Sequence, residues 1–243
     1  MANISKFSNL FQLLDFLEQI RVIKNISYEY VNNGHFKLPE CASWLTMTTV
    51  ITAKNGPMSK PLQKPTILHV ETVARSRLFN VESVDLEFSN GVRRVYERMK
   101  PSSREAVMIV PVVDDHLILI REYAVGTESY ELGFSKGLID PGETVFEAAN
   151  RELKEEVGFG ANNLTFLKQL SMAPSYFSSK MNIVFAEDLY PESLEGDEPE
   201  PLPQVRWPIA NMMELLEEPD FNEARNVSAL FLVREWLKGQ GRL

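Results

Sequence analysis

The chain has 243 residues, of which 44% are hydrophobic and 10% aromatic, enough to build a packed core in one large domain or two small ones. Its net charge of −9 argues against sequence-independent binding to nucleic acid, which depends on Lys and Arg neutralising phosphates. The single cysteine, Cys41, excludes an internal disulfide and a zinc site built from cysteines.

The first 57 residues differ in pattern from the rest of the chain. Residues 4–23 have the apolar spacing of a helix, interrupted by charges, and an irregular polar stretch follows up to the breaker at 54–57. We interpret residues 1–57 as an extension, or as a start assigned too far upstream of Met58; an ordinary N-terminal helix is the alternative. Without an 18-residue apolar run or a secretory segment, we expect a cytoplasmic protein with no membrane partner.

The sequence predicts β structure from Ile67 onward. Residues 81–88 alternate apolar and polar side chains, Asn90-Gly91 favours a turn with positive φ, and residues 92–99 return as the partner strand of a hairpin. Short apolar runs predict further strands, and the chain closes with two helical segments. The predicted strands are 106–113, 116–125, 130–134, 164–170 and 181–190, and the helices are 209–216 and 223–237.

The segment RELKEEVG, residues 151–158, crowds three glutamates, an arginine and a lysine into little more than two helical turns. Taken alone, such a run is typical of a solvated helix surface. It belongs to a longer pattern of nine positions at fixed spacing. These are Gly137, Glu143, Arg151, Glu152, Leu153, Glu155, Glu156, Gly158 and the apolar Phe159.

Local signals predict a loop, a helix and a second loop over this segment. A turn at 140–142 precedes Thr144 and Glu147, which have the spacing of a capping box, and Gly158 stands where a helix ends on a residue with positive φ. An apolar stripe at i, i+4 spacing predicts that the helix packs on a sheet. The stripe consists of Val145, Ala149 and Leu153.

Three carboxylates of this helix, those of Glu152, Glu155 and Glu156, share one face. Like charges at that spacing repel, and burying any of them without a partner would raise its pKa. A hard divalent cation removes this cost because Mg²⁺ and Mn²⁺ take oxygen ligands. We therefore predict Mg²⁺, with Mn²⁺ as the alternative, on these acids.

The nine-position pattern resembles the Nudix box, the motif of hydrolases that cleave nucleoside diphosphates linked to another moiety. This resemblance implies an α+β Nudix fold, an α/β/α sandwich with a mixed central sheet, preceded by an N-terminal β-hairpin element. It divides the chain into an extension at 1–57, a β-element at 58–104 that serves dimerisation, and a hydrolase domain at 105–243. A homodimer is the implied assembly.

The resemblance also implies roles for the box residues. In the family, the glutamates matching Glu152 and Glu156 are the principal metal ligands, and the one matching Glu155 assists them. The carbonyl at the Gly137 position joins these ligands. The arginine matching Arg151 orients a glutamate, and Glu143 is then its expected partner.

Metal-assisted hydrolysis of a pyrophosphate still needs a general base. In the branch of the family that cleaves ADP-ribose, this glutamate lies outside the box, on a downstream loop. The acidic segment 192–200 is the comparable part of this chain, so Glu198 or Glu200 is the candidate. A solvated connector without a chemical role is the alternative.

Four residues are candidates for substrate contacts. In the Nudix family, a proline near Pro174 is associated with ADP-ribose hydrolases, and a tyrosine near Tyr176 with dinucleoside polyphosphate hydrolases. Arg121 and Lys136 carry the charge to meet an anionic diphosphate. Each of the four also has a plain interpretation as a turn, core or surface residue.

The resemblance thus implies Mg²⁺-dependent hydrolysis of ADP-ribose, diadenosine di- and triphosphates and NADH, with AMP as a product. One alternative is a nucleoside triphosphate pyrophosphohydrolase on the same scaffold. Another is a non-catalytic module that binds ADP-ribose, against which the complete set of box glutamates argues. No basic patch accompanies the domain, so no nucleic-acid partner is expected.

Overall fold

The computed structural model describes residues 62–243, and residues 63–243 form one compact unit. The interpretation of residues 1–57 and the position of Cys41 lie outside the described residues. No helix within the described range combines the length and the apolar character needed to cross a bilayer.

A three-stranded antiparallel sheet comes first, in the order β1 (Thr66–Arg75), β2 (Asn80–Glu87) and β3 (Arg93–Met99). The predicted hairpin is confirmed: β2 and β3 pair around a turn in which Gly91 has φ 79°. The side chain of Asn90 stabilises this turn by accepting from the Val92 N–H at 3.1 Å. The strand β1 then adds a third strand to the hairpin.

A seven-stranded mixed sheet follows, with the order β10-β5-β4-β9-β8, β6 paired to β5 and β7 paired to β4. The pair β4 and β9 is parallel, whereas the other pairs are antiparallel. The strands are β4 (Ala106–Val113), β5 (His116–Ala124), β6 (Ser129–Gly133), β7 (Lys136–Leu138), β8 (Phe159–Ser171), β9 (Lys180–Pro191) and β10 (Gln204–Pro208). The helices are α1 (Val145–Glu156), a 3₁₀-helix (Ile209–Glu217) and α2 (Ala224–Gly239).

The central strand β4 is apolar along its whole length because both faces of the sheet are covered there. On β4, Val107 and Ile109 point to the side of α1, where Leu153 is fully buried. Met108 and Val110 point to the opposite side, against α2 and the 3₁₀-helix. This layering is the predicted α/β/α sandwich, and the fold prediction is confirmed.

Two elements differ from their predicted form. The strand expected at 164–170 begins already at Phe159, directly after Gly158, because its full length pairs with β9. The helix expected at 209–216 is a 3₁₀-helix, interrupted at Asn211 by a non-helical φ of −111°. The C-terminal helix is confirmed, with the Glu223 side chain capping its first turn.

Candidate active site

The helix α1 begins and ends at the predicted residues. Thr144 and Glu147 form the capping box. The Thr144 N–H donates to Glu147 Oε2 at 2.8 Å, and the Glu147 N–H donates to Thr144 Oγ1 at 3.2 Å. Gly158 has φ 79°, and its N–H donates to the Leu153 carbonyl at 3.1 Å. Because Ala149 and Leu153 are fully buried against the sheet, the acids of the helix lie beside the segment that connects β6 with β7.

Residues 134–137, which comprise this connection and the first two residues of β7, are called the glycine loop below because Gly137 ends them. The Lys136 N–H donates to Glu156 Oε2 at 3.0 Å, so the loop backbone and the last turn of α1 are joined directly. A Cβ added to Gly137 would overlap the Glu152 carboxylate. Only glycine therefore lets that carboxylate lie against the loop backbone.

Arg151 connects three acids and a carbonyl. Its guanidinium donates to both carboxylate oxygens of Glu143, at 2.8 and 3.0 Å, and to the Leu138 carbonyl at 2.9 Å. Its Nη1 bridges Glu152 and Glu155, at 2.8 and 2.9 Å. Arg151 thus fixes the position of Glu152 and turns Glu155 toward itself.

The acids of the site differ in pKa, mainly because they differ in burial and in their contacts with Arg151. Burial raises the pKa of Glu156 to about 7, against the opposing effect of Lys136. Burial also raises the pKa of Glu152, although Arg151 counteracts this. In contrast, the hydrogen bonds from Arg151 lower the pKa of Glu143. Glu156 is therefore the acid whose charge is least compensated by the protein.

The acids were predicted to converge, and they do so only in part. Within residues 62–243, no three acidic, His or Cys side chains lie close enough together to hold one metal ion in their present positions. Glu155 faces Arg151, whereas Glu152 and Glu156 both face the glycine loop. Two desolvated carboxylates with raised pKa values, both beside the loop backbone, fit a hard divalent cation.

The acidic segment 192–200 lies over the end of α1. Lys154 Nζ pairs with Glu192 at 2.8 Å, and the Leu194 N–H donates to the Lys154 carbonyl at 3.2 Å. Gly196 packs beside Glu155: a Cβ added to Gly196 would lie 3.4 Å from the Cβ of Glu155. These contacts bring the middle of the segment to the carboxylate face.

The two candidate bases differ in their surroundings. Glu200 accepts a hydrogen bond from the Tyr130 hydroxyl. Glu198 is exposed, and partial desolvation raises its pKa, with further contributions from the carboxylates of Glu122 and Asp197. Glu200 is therefore held on the β5–β6 hairpin, whereas Glu198 lies within electrostatic reach of Lys136 in the glycine loop.

Sequence reasoning missed three residues of this region: Glu122, Asp197 and Asn226. Asp197 contributes to the raised pKa of Glu152, and it lies in the same acidic run as the predicted bases. Glu122 forms an ion pair with Lys136. No sequence signal joins Asn226 to the glycine loop, because the two are separated by about 90 residues along the chain.

The four predicted substrate contacts lie in three places. Lys136 belongs to the glycine loop, whereas Arg121 forms an ion pair with Asp220, before α2. Pro174 and Tyr176 lie in the connection between β8 and β9, where the Tyr176 carbonyl accepts from the Met99 N–H at 2.8 Å. Substrate contact by these residues stays a prediction.

The fold, the helix α1 and the carboxylates on one face of that helix together define the class of protein. A model of the NUDIX domain matches residues 102–231, and a model described as the NudE-type Nudix hydrolase N-terminal domain matches residues 65–98. The chain therefore belongs to the Nudix family, and the prediction of a Nudix enzyme is confirmed.

Within the Nudix family, the chain is similar to several individual proteins. The chain is 90% identical over 186 residues to the ADP compounds hydrolase NudE of Escherichia coli (strain K12), covering 76% of this chain and 100% of that protein. It is 25% identical over 171 residues to the ADP-ribose pyrophosphatase of Bacillus subtilis (strain 168), covering 67% of this chain and 91% of that one. A crystal structure of an ADP compounds hydrolase superposes with a TM-score of 0.75 at 90% identity, covering 76% of this chain and 100% of that chain.

Proposed function

We propose that this protein hydrolyses the pyrophosphate bond of ADP-containing compounds with Mg²⁺ and releases AMP. ADP-ribose, diadenosine di- and triphosphates and NADH are the proposed substrates. The observation that carries this proposal is the pair of carboxylates that faces the glycine loop, the buried Glu152 and the half-buried Glu156. The similarity to the E. coli protein, whose name states that it hydrolyses ADP compounds, supports the choice of substrate.

In this proposal, some residues of the site bind the cation and others orient the residues that bind it. Glu152, Glu156 and the Gly137 carbonyl would hold the cation, Mg²⁺ or alternatively Mn²⁺, with Glu155 assisting. When bound, it supplies charge neutralisation at the two phosphates and lowers the pKa of the attacking water. Arg151 holds Glu152 in place, and its own bidentate bond to Glu143 fixes the guanidinium.

We propose Glu198 as the general base that takes a proton from the attacking water. A carboxylate with a raised pKa suits this role, because a base works best when its pKa lies near the operating pH. The neighbouring carboxylates of Glu122 and Asp197 favour proton uptake by Glu198. Glu200 instead positions the segment through the Tyr130 hydroxyl.

Replacing Glu198 by glutamine is expected to lower kcat for ADP-ribose by about 100- to 10,000-fold, the usual contribution of a general base. Glutamine keeps the size of the side chain and cannot accept the proton. The matched control is Glu200→Gln, for which we expect a change of only a few-fold. Steady-state kinetics with both variants decides the assignment: the larger loss in Glu200→Gln would place the base there instead.

A homodimer through the three-stranded sheet is proposed as the assembly, with residues 58–104 as the dimerisation element and 105–243 as the hydrolase domain. Every residue of β1 is exposed, including Ile67, Leu68, Val70 and Val73, which are 37% to 53% exposed. A strand with such side chains is stabilised when a second copy covers it. Light scattering tests the proposed dimer, since a measured mass equal to that of a single chain would exclude it.

A cytoplasmic location also stays a prediction.

The substrate class is tested by incubating the purified protein and Mg²⁺ with ADP-ribose, diadenosine triphosphate, NADH and the nucleoside triphosphates. We expect AMP from the first three and a higher kcat/KM for ADP-ribose than for any triphosphate. Preferential turnover of triphosphates would support the pyrophosphohydrolase alternative. Tight binding of ADP-ribose without AMP release would support the non-catalytic module.

A further inference from the structure

The first turn of α2 reaches into the glycine loop through Asn226, a polar residue that is only 4% exposed. Asn226 Oδ1 accepts a hydrogen bond from the Phe134 N–H at 2.8 Å. Asn226 Nδ2 donates to Glu223 Oε2 at 3.2 Å, and the same carboxylate oxygen caps the helix. The amide side chain of Asn226 is therefore held at both ends.

The residue before the loop is shaped for this contact. A Cβ at Gly133 would lie 2.6 Å from Asn226 Nδ2, so glycine is needed there for the amide to approach the backbone. The fully buried Phe134 ring packs edge-on against Phe221, with ring centroids 5.9 Å apart. The start of the glycine loop is thus fixed both at its backbone and at its side chain.

The rest of the loop is fixed by other elements in turn. The Ser135 carbonyl accepts from the Ile109 N–H at 2.9 Å, and the Lys136 N–H donates to Glu156 at 3.0 Å. Gly137 then pairs in register with Val107 on β4. A displacement at Phe134 would therefore pass along three consecutive residues to both the Gly137 carbonyl and the Glu156 carboxylate.

A cavity of about 190 Å³ adjoins this contact and is lined by Gly133, Phe134, Lys136 and Asn226, among others. Without the Asn226 amide, the buried Phe134 N–H would lack its acceptor, and an unpaired buried donor is costly. The cavity offers room for the loop to shift toward water. The hydrogen bond from the Phe134 N–H to Asn226 Oδ1 opposes that shift.

We propose that Asn226 is a positioning residue that holds the glycine loop in the geometry needed to bind the divalent cation. This inference rests on the proposed function, because it takes the Gly137 carbonyl and Glu156 as ligands. Groups that orient metal ligands without touching the metal typically contribute 10- to 100-fold in affinity. Asn226 acts through the loop backbone, so an effect of about tenfold is expected.

The test compares three variants by Mn²⁺ titration, in which the unbound ion is followed by electron paramagnetic resonance. Asn226→Ala removes the acceptor and is expected to weaken Mn²⁺ binding about tenfold. Asn226→Leu keeps the branched shape of the side chain but also lacks the acceptor, so it is expected to weaken Mn²⁺ binding about tenfold as well. Val233→Ala, a fully buried position of α2 outside this contact, is expected to lower the melting temperature and leave Mn²⁺ affinity unchanged.

Wild-type affinity in Asn226→Ala would overturn the inference and leave the proposed function intact. An equal loss in Val233→Ala would also overturn it, because general weakening of α2 would then explain the effect. If Asn226→Ala does not fold, Asn226→Leu decides, since wild-type affinity there would contradict the role of the acceptor. No Mn²⁺ binding by the wild-type protein would refute the proposed metal site, and this inference with it.

Discussion

Replacing Glu156 by glutamine is expected to abolish turnover and, at the same time, to stabilise the metal-free protein. Turnover should fall at least about 100-fold, because a direct ligand contributes no less than the groups that orient it. Glutamine has nearly the same shape and can still accept the Lys136 N–H bond. The loss would thus come from the missing charge and not from a disturbed loop.

The stabilisation follows from the raised pKa of Glu156. Burial moves this pKa from 4.5 to about 7 in the folded protein. The folded state therefore binds the proton more tightly than the unfolded state, so stability falls as pH rises from about 4.5 to about 7 and stays lower above that range. One pKa unit corresponds to about 1.4 kcal/mol, so glutamine should add on the order of 1–3 kcal/mol at pH 8.

Urea unfolding in chelator measures this effect. The free energy of unfolding of Glu156→Gln should exceed that of wild type at pH 8, and the difference should shrink toward pH 5. Glu235→Gln, which removes an exposed charge on α2, is the control and should change stability by less than about 0.5 kcal/mol. Equal stabilities at pH 8, or a fully active Glu156→Gln, would contradict the assignment of Glu156.

The local parts of this site could be predicted from sequence because their signals lie within one or two turns of chain. Thr144 and Glu147 set the start of α1, and Gly158 sets its end. The Asn90-Gly91 turn fixes the first hairpin in the same way. In each case a single side chain or one backbone angle decides the structure.

The non-local parts could not be predicted, because they depend on contacts between residues that are far apart in the sequence. Helical spacing places Glu152, Glu155 and Glu156 on one face, but it does not show that the Lys136 N–H, 20 residues upstream, binds Glu156. The two candidate bases are indistinguishable in a run of acids until Tyr130 binds Glu200. The apolar stripe predicts that α1 packs on a sheet, but no periodicity shows which loop or hairpin then lies beside its carboxylates.

Removing divalent cations is expected to stop hydrolysis without unfolding the protein. A bound cation contributes several kcal/mol to stabilising the charge that develops at the phosphates, which corresponds to at least about 1000-fold in rate. The core lies on both faces of the large sheet, so the fold does not depend on the cation. Far-ultraviolet circular dichroism should therefore be the same with and without chelator.

The most direct measurement is AMP release from ADP-ribose by the purified 243-residue chain, first in excess chelator and then after Mg²⁺ is restored. The account predicts that AMP release falls to the uncatalysed background in chelator and returns with Mg²⁺. Under the same conditions Mg²⁺ should raise the melting temperature of wild type and not that of Glu156→Gln. Hydrolysis that continues undiminished in excess chelator would contradict the metal-dependent mechanism.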